Sequence, residues 1–288
     1  MSIYLEILDE TLRAGWGMLP EKLLQKHLQF IIEQQQSDGG FAGRMGGSDP
    51  YYTDFALRVV TIISPDNPTI AAAKDYINNL SNTPPADVIE LFNRANISRL
   101  LGQKVILEND ILTHQVCPGG LARKGENTVS AYTTFLGELA RQIVDENIFA
   151  YSPDAIWKLK CADGGFADTA GEDIGQTNPT AAATALITMA GGTIGDDTAK
   201  FLSNMQSPAS GLRAHELADA DLLSTFTGMM TLIQSNNLNR LNLPAIARFT
   251  ATCADPEGGF AACPDDTPDV EYTYYGLAVL GLLRGLMG

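Results

Sequence analysis

Thr252-Cys253-Ala254-Asp255-Pro256-Glu257-Gly258-Gly259-Phe260, running on to Tyr272-Thr273-Tyr274-Tyr275-Gly276-Leu277, closes a series of similar stretches. A glycine doublet followed by a bulky apolar residue also stands at Gly39-Gly40-Phe41, Gly119-Gly120-Leu121 and Gly164-Gly165-Phe166, with a weaker copy at Ser210-Gly211-Leu212. The apolar residues Phe41, Leu121, Phe166, Leu212 and Phe260 are 80, 45, 46 and 48 positions apart, so one unit recurs about every 40 to 48 residues. Each doublet separates two helical patterns, and its glycines supply the sharp reversal between them. The fold class is therefore all-α, an array of helix pairs.

Working outward, outer helices are expected near 20–36, 67–80, 106–116, 152–161, 195–206 and 243–253, and inner ones near 50–63, 85–101, 128–143, 178–190, 219–234 and 269–284. The second unit uses Asn82-Thr83-Pro84-Pro85 in place of a doublet, so the 80-residue gap holds two units of 40. Asp49-Pro50-Tyr51, Asn178-Pro179-Thr180 and Asp269-Val270-Glu271 carry the signals of helix starts, a side-chain oxygen for free N–H groups and proline where no bond is lost. Six pairs suffice to close a ring around a central cavity, and a further helix near 3–14 would cover an end or edge. The inner segments are apolar and rich in small residues, as in Ala181-Ala182-Ala183-Thr184-Ala185, which suits helices touching neighbours on several sides.

The chain has 288 residues, 45% hydrophobic and 18% charged, and a repeat running nearly end to end favours one domain over residues 1–288. A net charge of −15 opposes nucleic-acid binding, which needs a basic face. No run reaches the length of a membrane span, and the start lacks a basic segment followed by an apolar one, so the expected location is cytoplasmic. Cys117, Cys161, Cys253 and Cys263 form no CxxC pair, and the first three precede doublets, where a small buried thiol would close an outer helix.

Together the turns, their spacing and the last unit resemble the beta subunits of protein prenyltransferases, most closely the Rab geranylgeranyltransferase type, over about residues 15 to 285. The resemblance implies an α/α toroid of six helix pairs, an inner and an outer ring, whose cavity holds an isoprenoid chain. It also implies a helical alpha subunit as partner. Squalene and related isoprenoid cyclases share the repeat, so the fold leaves the reaction open.

The resemblance implies one zinc ion as cofactor, held by an Asp, a Cys two positions later and a His in the last inner helix, activating an acceptor thiolate. An ungapped count puts these at Asp221, Leu223 and Tyr272, so only Asp221 keeps the family's residue and no zinc is expected unless at a divergent site. The family's diphosphate-binding Arg, Lys and His fall on His215, Ala218 and Asn178, and a following Tyr falls on Ser224. Asp221 has a second explanation as a carboxylate in a helix's first turn.

Basic residues remain in the loops of the expected rim, namely Arg44, Arg123, Lys124 and Arg213, joined by His215. With the free N–H groups of the inner helices they would form an anion site, unless they pair with Glu126, Asp168, Glu216 or Asp219. Aromatic residues near the inner-helix starts suit an apolar pocket: Tyr51, Tyr52, Phe55, Tyr132, Phe135, Phe226, Tyr272, Tyr274 and Tyr275. A minority of them is expected to face the cavity, with Tyr52, Tyr132, Phe226 and Tyr272 as ligand contacts. Asp219 and Asp221 are the candidate catalytic acids, by comparison with the Asp-rich stretch of proton-initiated cyclases.

Three readings follow. In the first, a toroid binds an isoprenoid or other long apolar ligand without transferring it to cysteine. In the second, an active transferase or cyclase uses Asp219, Asp221, His215 or Glu271. The third is a scaffold whose cavity is filled by its own side chains.

Overall fold

A computed structural model describes residues 4–81, 83–105, 115–144 and 150–287. Among the described residues the inner helices are α3 (Pro50–Ile63), α5 (Val88–Leu100), α6 (Ala131–Val144), α8 (Thr177–Met189), α10 (Leu222–Gln234) and α12 (Val270–Met287). Each packs on the next, and α12 packs on α3, so the inner ring closes. Outer helices α2 (Glu21–Ile32), α4 (Thr69–Leu80), α7 (Pro153–Trp157), α9 (Asp196–Asn204) and α11 (Leu243–Thr252) each pack against the inner helix that follows them in the chain. The outer helix expected at 106–116 lies largely outside the described residues; Val116–Cys117 forms the short strand β1, paired with β2 (Gly120–Leu121).

Helix α1 (Tyr4–Trp16) lies against α12, α3 and α6 and so covers the end of the ring opposite the doublets. Its apolar face buries Leu5, Leu8, Leu12 and Trp16. The indole N–H of Trp16 donates to the Leu277 carbonyl at 2.8 Å. Gly15 lets the two helices cross closely, since a Cβ there would stand 2.4 Å from the Gly281 carbonyl oxygen.

The doublets end the outer helices with one repeated turn. Residues Gln35 and Phe41, Val116 and Leu121, Lys160 and Phe166, Gln206 and Leu212, and Ala254 and Phe260 pair as antiparallel bridges across it. At Gly39 φ is +91°, and a Cβ would come 2.0 Å from the Ala72 carbonyl oxygen, so both backbone conformation and space require glycine. The apolar residue of each turn is then tied to a threonine one turn into the following inner helix. The N–H groups of Phe41, Leu121, Phe166, Leu212 and Phe260 donate to the hydroxyls of Thr53, Thr134, Thr180, Thr225 and Thr273 at 2.8 to 3.0 Å. All five threonines are fully buried, so each bond satisfies a donor with no access to water.

Neighbouring units are stitched at the rim. Ala131, Thr177 and Leu222 donate their backbone N–H to the carbonyls of Asp168, Ala214 and Ala262, each in the next unit's loop. Carboxylates cap other inner-helix starts: Asp49 accepts from Tyr51 N, Asp87 from Glu90 N, Asp221 from Ser224 N and Asp269 from Tyr272 N. Asp168 caps α6 from outside the helix, accepting from Tyr132 N at 2.9 Å. The expected start at Asn178 is shifted, because α8 begins at Thr177 after Gln176, and Pro179 sits inside the first turn, where its missing N–H costs no bond. Cys253 is buried as expected at the end of an outer helix, while Cys117, Cys161 and Cys263 are only half-buried.

Candidate functional site

The six inner helices and α1 enclose a cavity of about 360 Å³, at the lower end of the ~300–1,000 Å³ typical of small-molecule sites. Tyr4, Leu5 and Leu8 of α1 form its floor, and aromatic and aliphatic side chains form its wall. Seven of the nine aromatic residues anticipated near the inner-helix starts line it: Tyr51, Phe55, Tyr132, Phe135, Phe226, Tyr274 and Tyr275. Sequence reasoning expected a minority. Positions three and four apart share one helix face, and in a closed ring that face looks inward, so Tyr51 and Phe55 both reach the cavity.

Tyr52 and Tyr272 are not part of the wall. Tyr52 turns edge-on to Tyr51, and Tyr272 packs against Tyr275 and under the Arg44 guanidinium, 6.0 Å from its ring centre. Leu223 does line the cavity, at the position where the prenyltransferase resemblance would put a thiolate.

The rim loops hold their charges in pairs. Arg44 makes a bidentate pair with Asp266 at 2.9 and 3.0 Å and reaches Asp269 at 3.1 Å. Arg123 binds Asp168 at 2.6 and 2.8 Å, at the edge of the cavity. Arg213 turns away to the outer-helix end, donating to the carbonyls of Asn204, Met205 and Glu216. Lys124 and His215 are exposed and lie outside the cavity wall. The N–H groups expected to help bind an anion are instead taken up by the caps and inter-unit bonds described above. Of the rim cations, Arg44 and Arg123 are thus spent on the rim's own carboxylates and Arg213 on backbone carbonyls.

Asp219 is exposed, and Asp221 serves as the N-cap of α10, accepting from Ser224 N and Ser224 Oγ at 2.7 Å each. Burial raises its carboxyl above the ordinary value against those two bonds. Neither aspartate belongs to the cavity wall. Among the described residues no group of three or more His, Cys, Asp or Glu side chains is placed to hold a metal ion.

Two polar features approach the cavity that the expected site residues do not include. At the mouth, the Tyr51 hydroxyl donates to Oε1 of Glu271 at 2.7 Å. Burial first, then neighbouring Asp269, pushes the Glu271 carboxyl up to about 7 in spite of that bond. Deeper, Arg58 lines the wall, its guanidinium 5.2 to 5.6 Å from the ring centres of Phe55, Phe92 and Tyr274. Its Nε and Nη2 donate to one oxygen of the fully buried Asp54, whose other oxygen accepts from Asn96 at 2.6 Å. Glu271 was in view only as an alternative acid. The Asp54/Arg58 pair has a sequence signal, opposite charges four apart in an otherwise apolar inner helix.

With this geometry in hand, the chain matches the sequence profile of the prenyltransferase alpha-alpha toroid domain over residues 18–147 and 128–287. A curated relative, protein farnesyltransferase subunit beta of Arabidopsis thaliana, is 23% identical over 151 residues, covering 51% of this chain and 31% of that protein. The match thus spans less than a third of that relative's length. Candida albicans protein geranylgeranyltransferase-I, solved in complex with GGPP, superimposes with a TM-score of 0.72 at 16% identity, over 90% of this chain and 91% of that one. A variant of the type II terpene cyclase MstE from Scytonema, in complex with geranylgeranyl dihydroxybenzoate, gives 0.62 at 11% identity, over 99% and 100% of the two chains. At such identities the likeness is one of fold.

Proposed function

Because the chain belongs to the prenyltransferase alpha-alpha toroid family, we propose that it binds an isoprenoid or similar long apolar molecule in its central cavity and does not transfer it to cysteine. The observation that carries this reading is the aromatic-walled cavity of about 360 Å³, closed by α1 at one end, with Leu223 in its wall. A cavity of that size also argues against a scaffold filled by its own side chains.

The residues present do not fit the family's zinc. Leu223 offers no donor atom, the Asp221 carboxylate is committed to capping α10, and the Tyr272 phenol is pushed above its ordinary value by burial and by Glu271, so it stays neutral. Nor do the rim cations form a free diphosphate clamp, since Arg44 and Arg123 are already paired. What these residues do is bind and exclude water. The aromatic faces pack along an apolar chain, and Tyr51 with Glu271 presents a hydrogen-bonding pair where a ligand head would lie.

One folding unit over 1–288, a cytoplasmic location and a helical partner on the outer ring belong to the same proposal. No described helix is long and apolar enough to cross a membrane.

Native mass spectrometry with farnesyl and geranylgeranyl diphosphate, farnesol and zinc tests the reading. Bound prenyl alcohol or diphosphate without metal is the expected result. Stoichiometric zinc with prenyl transfer to a thiol peptide would overturn it, and no adduct with any prenyl compound would return the protein to a scaffold.

A further inference from the structure

The cavity wall contains a polar side chain with nothing to bind. Asn93 on α5 is 3% exposed and lines the cavity, yet its amide makes no hydrogen bond to any described residue. The amide therefore faces the open space of the cavity, where it can donate to or accept from a group held there, as an apolar residue of similar size could not. Its neighbour Asn96 shows what the same side chain does when paired, donating to Asp54.

Asn93 does not stand alone. Across the groove between α5 and α3 lies Arg58, whose guanidinium stacks near Phe92, the residue before Asn93, and is also part of the wall. At the rise of an α-helix, Asn93 lies roughly 8 Å and Arg58 roughly 12 Å below the starts of their helices, and Phe92 beside Asn93 belongs to the same buried apolar cluster as Leu5 of the α1 floor, so both lie below the mouth. The mouth has polar pairs of its own, Tyr51 with Glu271 and Arg123 with Asp168, and Asn93 with Arg58 makes a further polar locus below them.

We infer that the inner end of the cavity is a polar subsite, in which Asn93 beside Arg58 hydrogen-bonds an oxygen carried at the far end of the bound chain. The ligand class is thus an oxygenated isoprenoid or lipid, with a hydroxyl or carbonyl near its tail, and not a plain hydrocarbon tail. This rests on the reading of the cavity as a site for a long apolar molecule. An amide can donate or accept, so either a hydroxyl or a carbonyl satisfies it. A site built to bond a substrate oxygen discriminates against the analogue that lacks it, because its own buried group is then left unpaired.

The test compares geraniol with ω-hydroxygeraniol, and farnesol with ω-hydroxyfarnesol, by tryptophan fluorescence titration of the full chain and of Asn93→Leu. Wild-type protein is expected to bind the ω-hydroxylated member of at least one pair about tenfold more tightly, the size of one well-made neutral hydrogen bond. In Asn93→Leu the preference should reverse, the parent alcohol binding more tightly than its ω-hydroxylated form. Equal or weaker binding of both ω-hydroxylated probes to wild type would overturn the polar subsite and leave the apolar-cavity reading standing. A preference that persists in Asn93→Leu would overturn the assignment to Asn93. Failure of all four alcohols to bind would overturn the subsite together with the reading it rests on.

Discussion

The Tyr51 hydroxyl and the Glu271 carboxylate meet at 2.7 Å and so join the first inner helix to the last, where the ring closes. The bond lies at the cavity mouth, and the burial that makes it also raises the Glu271 carboxyl to about 7 from an ordinary 4.5. Between those values the folded protein holds a proton that the unfolded chain has released. Stability from this group is complete below pH 4.5, falls as pH rises, and levels off above about 7. Buried His27 works the other way. Its Nδ1 accepts from Gly259 N, and burial lowers its ring to about 4 from 6.5, so its contribution is present above pH 6.5 and lost as pH falls. Glu271→Gln should therefore gain stability relative to wild type between pH 4.5 and 7, by on the order of 3 kcal/mol at the upper end. Urea midpoints of both proteins across that range check it; parallel pH profiles would show that Glu271 does not titrate there.

The repeated threonine bond should be a large local contribution. Thr273→Val keeps the shape but leaves the Phe260 N–H buried without an acceptor, which should cost about 1 to 3 kcal/mol. Thr11, exposed on α1, is the control, and its change to Val should move the unfolding midpoint little.

Gly39 and Gly46 separate space from conformation. Both have positive φ, +91° and +93°, but a Cβ at Gly46 meets nothing within 4 Å. Gly46→Ala should cost about 1 to 2 kcal/mol for backbone conformation alone. Gly39→Ala adds a collision with the Ala72 carbonyl and should cost at least about 1 kcal/mol more. Equal losses in thermal or chemical unfolding would show that the loop shifts to make room.

Arg58 and Asp54 invite a double-mutant cycle. Arg58→Met strands a fully buried carboxylate and should destabilise by about 3 to 5 kcal/mol. Asp54→Leu combined with Arg58→Met removes both charges and should be closer to wild type than either single variant. Additive losses would mean that the pair is not coupled.

Much of this architecture was legible in the chain because it rests on local chemistry. A doublet with positive φ at its first glycine can end a helix wherever it occurs, and the apolar residue after it must go inside, so four doublets and the weaker Ser210-Gly211 copy announce the ring. The inner helices fall within a few residues of the expected positions for the same reason: Asp49, Asp87, Asp221 and Asp269 mark their starts through bonds to the first turns that follow them. The threonines that bind each turn stand 12 to 14 residues after it, a second repeat that the sequence reading passed over because its role shows only when the turn folds back on the helix.

The site depended on contacts that no spacing encodes. Arg44 was a free rim cation until the ring brought Asp266, 222 positions away, to its guanidinium. Tyr51 and Glu271 are 220 positions apart, and their bond exists only because the last helix packs on the first. Which aromatic residues face the cavity, and that Asn93 lies among them without a partner, follow from the rotation of each helix in the closed ring. By itself the sequence determined the repeating unit, the helix ends and the number of pairs, because these arise within about one unit of chain. Only the tertiary structure decided which charges are spent on each other and which polar groups are left facing the cavity, because pairing energies depend on burial and distance between segments that meet when the ring closes.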